Sequence, residues 1–135
     1  MSKQMNALTQ ITDALFQVEQ AKMQRIAADE RSIRQALSDL DAQYNNALSD
    51  ASDMMAVRAL GADLLWQVWV GRKRANLQLE LAKTLVRKAQ AAEGLRHAFG
   101  KNHVAAQLHQ QETTRIRQKA AAHRLRLEQD RLGGV

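Results

Sequence analysis

The chain has 135 residues, no cysteine and no proline, and its 20 Lys+Arg against 14 Asp+Glu give a formal net charge of +6. The missing cysteine excludes disulfides and thiolate chemistry, and the missing proline removes the residue that most reliably ends a helix. Hydrophobic residues reach 45% but aromatic residues only 4%, and most of the rest are small or straight-chain residues of high helix propensity. This composition predicts one all-α domain over residues 1–135, a coiled coil or bundle with a thin core.

The first predicted element is a helix over residues 3–48, which would be roughly 70 Å long. Its seam residues recur at spacings of three and four: Leu8, Ile11, Leu15, Val18, Lys22, Ile26, Glu30, Ile33, Leu37, Leu40, Tyr44, Ala47, Ala51 and Met54. Two four-residue steps around Lys22 predict a stutter that relaxes the supercoil. Lys22 and Glu30 are polar seam positions, which typically fix register at some cost in stability.

A bend is predicted over residues 49–62. Residues 49–53 read SDASD, and Ser and Asp favour caps and turns over helix interiors. Gly61 is a second weak point, with Asp63 as a candidate N-cap, and one short helix over residues 53–60 fits within the bend.

The second predicted helix covers residues 63–131. Its seam is Leu64, Val68, Leu77, Leu81, Leu85, Lys88, Ala92, Leu95 and Phe99. Gly100 and its neighbours mark the expected place for a kink or break, because glycine costs about 1 kcal/mol relative to alanine in a helix interior. In an antiparallel hairpin the return helix matches the first helix up to about Gly100. Residues 101–132 then either fold back as a third helix or form an overhang, and the sparse apolar residues between His109 and Arg124 favour the overhang.

Charge divides the chain into an acidic first part and a basic remainder. Residues 1–53 have a net charge of −3, residues 54–100 of +5 and residues 101–135 of +4. This asymmetry predicts ion pairs between two helices lying side by side, which set orientation and register more than stability.

The sequence offers no support for catalysis, a cofactor, a small-molecule substrate or a bound metal. His97, His103, His109 and His123 are six, six and fourteen residues apart, so none has an i+3 or i+4 partner for a shared ligand face, and solvated histidines are expected. Gly-rich phosphate loops are also missing. The polar N-terminus lacks a signal-peptide h-region, and the most apolar run, residues 54–70, contains Arg58 and Asp63. The missing cysteine favours a cytoplasmic location, and contact with the cytoplasmic membrane face is expected through partners only.

Two basic clusters and a pair of tryptophans are the candidate partner-binding residues. They are Trp66, Trp69, Arg72, Lys73 and Arg74 beside the bend, and Arg115, Arg117, Lys119, Arg124 and Arg126 near the C-terminus. The tryptophans either cap the hairpin core or serve as exposed anchors, since Trp and Arg are enriched at binding hot spots, and both hold if one ring is buried. Phosphate binding could follow from charge alone, although the acidic first helix would neutralise part of the field.

The pattern resembles the small coiled-coil stalk proteins of the flagellar and type III secretion export apparatus. The resemblance rests on a heptad helix, a polar turn and a longer basic helix that opens with aromatics, carried by Leu37, Leu40, Tyr44, Leu48, Trp66, Trp69, Leu77, Leu81, Leu85 and residues 96–99 (RHAF). It implies an antiparallel two-helix coiled coil similar to the central stalk of rotary ATPases. The paired terminal ends would enter a hexameric export ATPase ring, and the opposite region would contact the membrane export gate and export chaperones.

Carried onto this sequence, the resemblance implies that Trp66 and Trp69 lie where the gate-docking surface begins. It also implies that the C-terminal basic cluster faces the ATPase ring. The alternatives are a basic structural protein that binds nucleic acid and a helical homo-oligomer that scaffolds an assembly with the overhang buried between subunits.

Overall fold

In a computed structural model the chain is an all-α, antiparallel two-helix hairpin. The structure describes residues 2–51 and 62–133, and all of them are α-helical. Helix α1 runs Ser2–Ala51 and helix α2 runs Ala62–Gly133. Of the predicted bend, residues 49–51 belong to α1 and residue 62 to α2; the rest, including the short helix considered over 53–60, lies outside the described residues.

The chain forms two compact units, and each contains a piece of both helices. The middle unit is Ala21–Ala92, and the terminal unit is Met1–Gln20 with Glu93–Val135. Pairing is antiparallel inside each unit. In the middle unit Asp29 lies against Arg87 and Asp41 against Arg74; in the terminal unit Thr12 lies against Asn102.

The seam of the middle unit follows the predicted heptad spacing on α1. Leu40 is buried, and the other predicted positions from Ile26 to Ala47 are partly buried: Ile26, Glu30, Ile33, Leu37, Tyr44 and Ala47. Opposite them, Val70 and Thr84 are buried on α2. Thr84 tolerates this position because its hydroxyl donates to the carbonyl oxygen of Glu80, 2.8 Å away, which satisfies a polar group that water cannot reach.

The predicted ion pairs between an acidic helix and a basic helix are present in the middle unit. Three carboxylates of α1 pair with three cations of α2: Asp29 with Arg87, Glu30 with Lys88, and Asp41 with Arg74. Glu30 and Lys88 both stand at seam positions, and Lys88 Nζ lies 3.2 Å from each carboxylate oxygen of Glu30. The two polar seam residues on opposite helices therefore satisfy one another.

In the terminal unit the predicted α1 seam is wrong. The predicted residues Leu8, Ile11, Leu15 and Val18 are 42–58% exposed, and the next predicted residue, Lys22 of the middle unit, is exposed too. In this unit the buried or partly buried positions of α1 are instead Met5, Thr9, Thr12, Phe16 and Glu19. These continue the spacing of the middle unit without a stutter, because a helix that stays in register turns the same angular stripe towards its partner.

On α2 four predicted seam residues are also misplaced. Leu64, Val68, Leu85 and Phe99 are 66%, 45%, 40% and 57% exposed, whereas Leu77, Leu81, Lys88, Ala92 and Leu95 are partly buried as predicted. The break expected at Gly100 is absent from α2, which is helical across it. A glycine in a helix interior costs about 1 kcal/mol relative to alanine, which is too little to end the helix here. The residues on either side of Gly100, Ala98 and Asn102, still pack against α1.

The C-terminal overhang is confirmed, and a third helix folding back is not found, since α2 is one helix to Gly133. The overhang starts later than predicted. Ala105 is buried and His109 and Thr113 are partly buried, whereas every residue from 114 to 133 is exposed. The cause is the corrected register, which pairs the first residues of α1 with α2 well beyond Gly100.

The Glu30–Lys88 pair yields a test of the seam. Lys88→Leu should lower the free energy of unfolding by about 1–3 kcal/mol, because it leaves the largely buried Glu30 carboxylate with Arg34, 3.8 Å away, as its one remaining ionic partner among the described residues. Adding Glu30→Leu should restore most of that loss, because a well-packed apolar pair removes the stranded charge. Urea unfolding followed by circular dichroism measures both.

The matched control is the neighbouring Asp29–Arg87 pair, whose side chains are both more than half exposed. Replacing that pair by leucines should show a coupling energy below about 1 kcal/mol. A coupling for Glu30 and Lys88 no larger than this would contradict their placement in the seam.

Candidate partner-binding surfaces

The two tryptophans have different surroundings in the middle unit. Trp66 is partly buried and stacks on Tyr44 of α1, with ring centroids 5.4 Å apart and ring planes 3° from parallel. Trp69 is 49% exposed, and Lys73 Nζ lies 5.0 Å from its ring centroid, a cation–π contact. One ring therefore packs between the helices, and the other is available to solvent.

The Arg72-Lys73-Arg74 triplet divides in the same way. Arg74 forms an ion pair with Asp41, and its guanidinium carbon lies 6.0 Å from the centroid of the Tyr44 ring. This arginine thus joins α2 to α1. Arg72 is exposed and makes no ion pair or hydrogen bond within the described part of the chain.

Trp69, Arg72 and Lys73 lie within about 100° of one another around α2. These three exposed residues form what we call the tryptophan surface. Of the five residues predicted beside the bend, the other two, Trp66 and Arg74, take part in helix packing.

The second cluster lies on the overhang, residues 114–133, which we call the basic segment. It contains six basic residues against Glu128 and Asp130, and all of them are exposed. The five predicted to bind a partner are Arg115, Arg117, Lys119, Arg124 and Arg126.

Arg115 differs from the other cations because it has a carboxylate partner. Its Nη2 and Nε donate to Glu112 at 2.7 and 3.1 Å. These hydrogen bonds hold the pKa of the Glu112 carboxyl below its ordinary value and raise the pKa of Arg115. Arg117, Lys119 and Arg126 make no ion pair or hydrogen bond with the described residues, and Arg124 Nε reaches only the carbonyl oxygen of Ala120, at 3.4 Å.

Sequence reasoning missed a third surface, the apolar residues that the corrected register leaves outside the seam of the terminal unit. Ile11 and Leu15 are 58% and 53% exposed on α1, and Val104 is 53% exposed on α2. The sequence contains a signal for this apolar surface: Asp13 is the only charged residue between positions 4 and 18.

His109 departs from the expectation of solvated histidines. Its side chain is partly buried, and its Nδ1 is buried without a hydrogen-bond partner among the described residues. His97, His103 and His123 are exposed as expected.

In the middle unit one groove of about 440 Å³ is lined by charged and hydroxyl residues, among them Asp29, Thr84 and Arg87.

Within residues 2–51 and 62–133 there is no group of three or more His, Cys, Asp or Glu side chains arranged to hold a metal ion. The same residues contain no helical stretch with the length and hydropathy needed to cross a bilayer.

Comparison of the chain with protein-family models, with curated proteins and with solved structures finds no match.

The two tryptophans give a test of this surface. Trp66→Ala should lower the free energy of unfolding by about 1–3 kcal/mol, because it removes a stacked, partly buried ring. Trp69→Ala is the matched control and should cost less than about 0.5 kcal/mol, since that ring is mainly exposed. Chemical denaturation of both variants measures the difference, and acrylamide should quench Trp69 more strongly than Trp66. The reverse order in either measurement would exclude this arrangement.

Proposed function

We propose that the protein is a non-catalytic stalk or coupling protein of a flagellar or type III protein-export apparatus. In this proposal the basic segment binds a hexameric export ATPase and stimulates its turnover, and the tryptophan surface contacts the export gate or export chaperones. The protein acts in the cytoplasm or, through its partners, at the cytoplasmic face of the membrane.

The observation that carries the proposal is the exposed, unpaired end of α2. Residues 114–133 continue as helix beyond the seam, although most helical stability in proteins comes from tertiary packing and this segment is exposed on all sides. Four apolar side chains on this segment are 42–80% exposed: Ile116, Leu125, Leu127 and Leu132. A ring of protein subunits around the segment would cover those side chains and place acidic groups against its cations.

The charge of the basic segment suits a contact that forms and releases repeatedly. Charged groups at an interface raise the association rate and its salt sensitivity more than they raise affinity. Arg117, Lys119 and Arg126 are free of intramolecular partners in the described residues, so a partner need not first break an ion pair. The tryptophan surface adds an aromatic anchor beside two cations, a combination enriched at binding hot spots.

The decisive experiment measures ATP turnover by a purified hexameric export ATPase with increasing amounts of the full chain. We expect saturable stimulation. Replacing Arg117, Lys119, Arg124 and Arg126 with glutamine should abolish it, because the segment would lose four of its six cations.

The control removes the same charge elsewhere. Lys3, Arg25, Arg31 and Lys83 are exposed outside the basic segment, and their replacement by glutamine should leave stimulation intact. Turnover that stays unchanged at saturating wild-type protein, or an equal loss in the two quadruple variants, would reject the proposed role.

Nucleic-acid binding is a second candidate, favoured by the same unpaired cations. Gel-shift titrations with duplex DNA and with RNA over a salt series test it. Binding to phosphates should weaken linearly in log salt, and the Arg117/Lys119/Arg124/Arg126 variant should reduce the slope by up to about four. Absence of a shift at low salt excludes this candidate and leaves the ATPase experiment unaffected.

A further inference from the structure

The basic segment exposes aliphatic side chains on two sides of the helix. Successive residues of an α-helix are about 100° apart, so Ile116 and Leu127 lie within about 20° of one another, and so do Leu125 and Leu132. The two pairs are about 160° apart around α2. All four side chains are exposed, from 42% for Ile116 to 80% for Leu132. The segment therefore has two narrow apolar lines, the Ile116 line and the Leu125 line, rather than one apolar face.

The Ile116 line continues the side of α2 that faces α1. The buried Ala105 and the partly buried His109 belong to the seam of the terminal unit, and both lie within about 20° of Ile116 around the helix. Beyond residue 113 this side loses its cover, although its chemistry is still that of a seam. The Leu125 line has no counterpart in that seam.

Two rows of charged residues separate the apolar lines, and each row has three cations and one carboxylate. The first row is Arg117, Arg124, Glu128 and Arg131, and the second is Arg115, Lys119, Arg126 and Asp130. Each apolar line is thus flanked on both sides by net positive charge. In coiled coils, charged residues that flank an apolar seam choose the partner helix, and cations choose a helix with carboxylates at the facing positions.

The middle unit contains an example of such a pairing. There α1 buries Leu40 against α2, and beside that seam its Asp29 and Asp41 pair with Arg87 and Arg74. An acidic amphipathic helix is therefore the element that this chain itself places on an apolar line flanked by cations.

Other occupants match the basic segment less well. A helix lying on a bilayer buries one face only, so a lipid surface would leave one apolar line in water. Phosphates of a nucleic acid would pair with the cations and leave both apolar lines uncovered. The basic segment of a second copy would bring like charges together, and the carboxylates Asp29, Glu30 and Asp41 of that copy already pair with its own α2.

We infer that the basic segment binds between two acidic amphipathic helices of a partner protein, one along each apolar line, with their carboxylates against the flanking cations. The inference rests on the proposed function, because it concerns the same segment, and it specifies the chemistry of the partner. Each partner helix presents aliphatic residues at spacings of three and four with glutamate or aspartate beside them.

Isothermal titration calorimetry of the full chain with a designed peptide tests the inference. The probe is a four-heptad peptide with leucine at the two seam positions of each heptad and glutamate at the flanking positions; the control peptide has lysine in place of glutamate. The wild type should bind two acidic peptides per chain and no lysine peptide. The Arg117/Lys119/Arg124/Arg126 glutamine variant should bind at least about tenfold more weakly, whereas the Lys3/Arg25/Arg31/Lys83 glutamine variant should bind like the wild type.

Two pairs of substitutions test the two lines separately. Ile116→Gln/Leu127→Gln should weaken one of the two sites by at least about thirtyfold, and Leu125→Gln/Leu132→Gln should weaken the other, because each pair removes the apolar contact on one side. Glutamine and methionine have nearly the helix propensity of leucine, so the segment keeps its helix. Methionine at the same positions is the matched control and should preserve both sites.

The inference would be overturned by an acidic peptide that does not bind or that binds once per chain, or by glutamine pairs that leave its binding unchanged. Tighter binding of the chain to phosphatidylserine vesicles than to the peptide would also overturn it, in favour of a lipid surface. The ATPase experiment gives a separate answer. Stimulation without peptide binding would reject this inference alone, and peptide binding without stimulation would reject the proposed role while leaving the class of partner intact.

Discussion

The register of α1 against α2 is the constraint on which the other features depend. Along each helix the residues that face the partner recur at spacings of three and four. In the middle unit three acidic residues of α1 meet three basic residues of α2. Exposed ion pairs contribute little stability, but Glu30 and Lys88 stand inside the seam, where a shift of either helix would leave a carboxylate or an ammonium without its partner. The pair therefore favours one register over its neighbours.

This register has two consequences for the surface. Under this register α2 extends past the first residues of α1. Residues 114–133 therefore have no helix beside them among the described residues, and they expose both cations and aliphatic side chains. The register also turns the stripe that contains Ile11 and Leu15 out of the seam of the terminal unit and brings Thr12 and Phe16 in. Phe16 meets the ring of Phe99 with centroids 5.7 Å apart, although Phe99 itself remains more than half exposed.

The molecule thus presents three surfaces of different chemistry. The tryptophan surface combines one aromatic ring with two cations, the basic segment is a cationic helix with scattered aliphatic residues, and the stripe of the terminal unit is apolar and uncharged. In the proposed function the first two of these surfaces contact partner proteins.

Much of this was predictable from the sequence alone. The lack of proline, the helix-forming composition and the charge asymmetry predicted two antiparallel helices with acidic residues facing basic ones, and the seam from Ile26 to Ala47 was correct. The segment from Ile26 to Ala47 has only one stripe of apolar residues at helical spacing, so its periodicity fits only one seam. The overhang was also predicted, from the unequal lengths of the two periodic segments.

The tertiary structure decided the features for which local periodicity offers two answers. Residues 5–19 contain two stripes at helical spacing, and the more apolar one, with Ile11 and Leu15, was the natural choice from the sequence. Pairing with α2 selected the other, because α1 is one continuous helix and cannot turn between its halves without breaking backbone hydrogen bonds. The division of the tryptophans has the same cause: their spacing placed them on one side of α2, but only the position of Tyr44 determined which ring packs and which faces solvent.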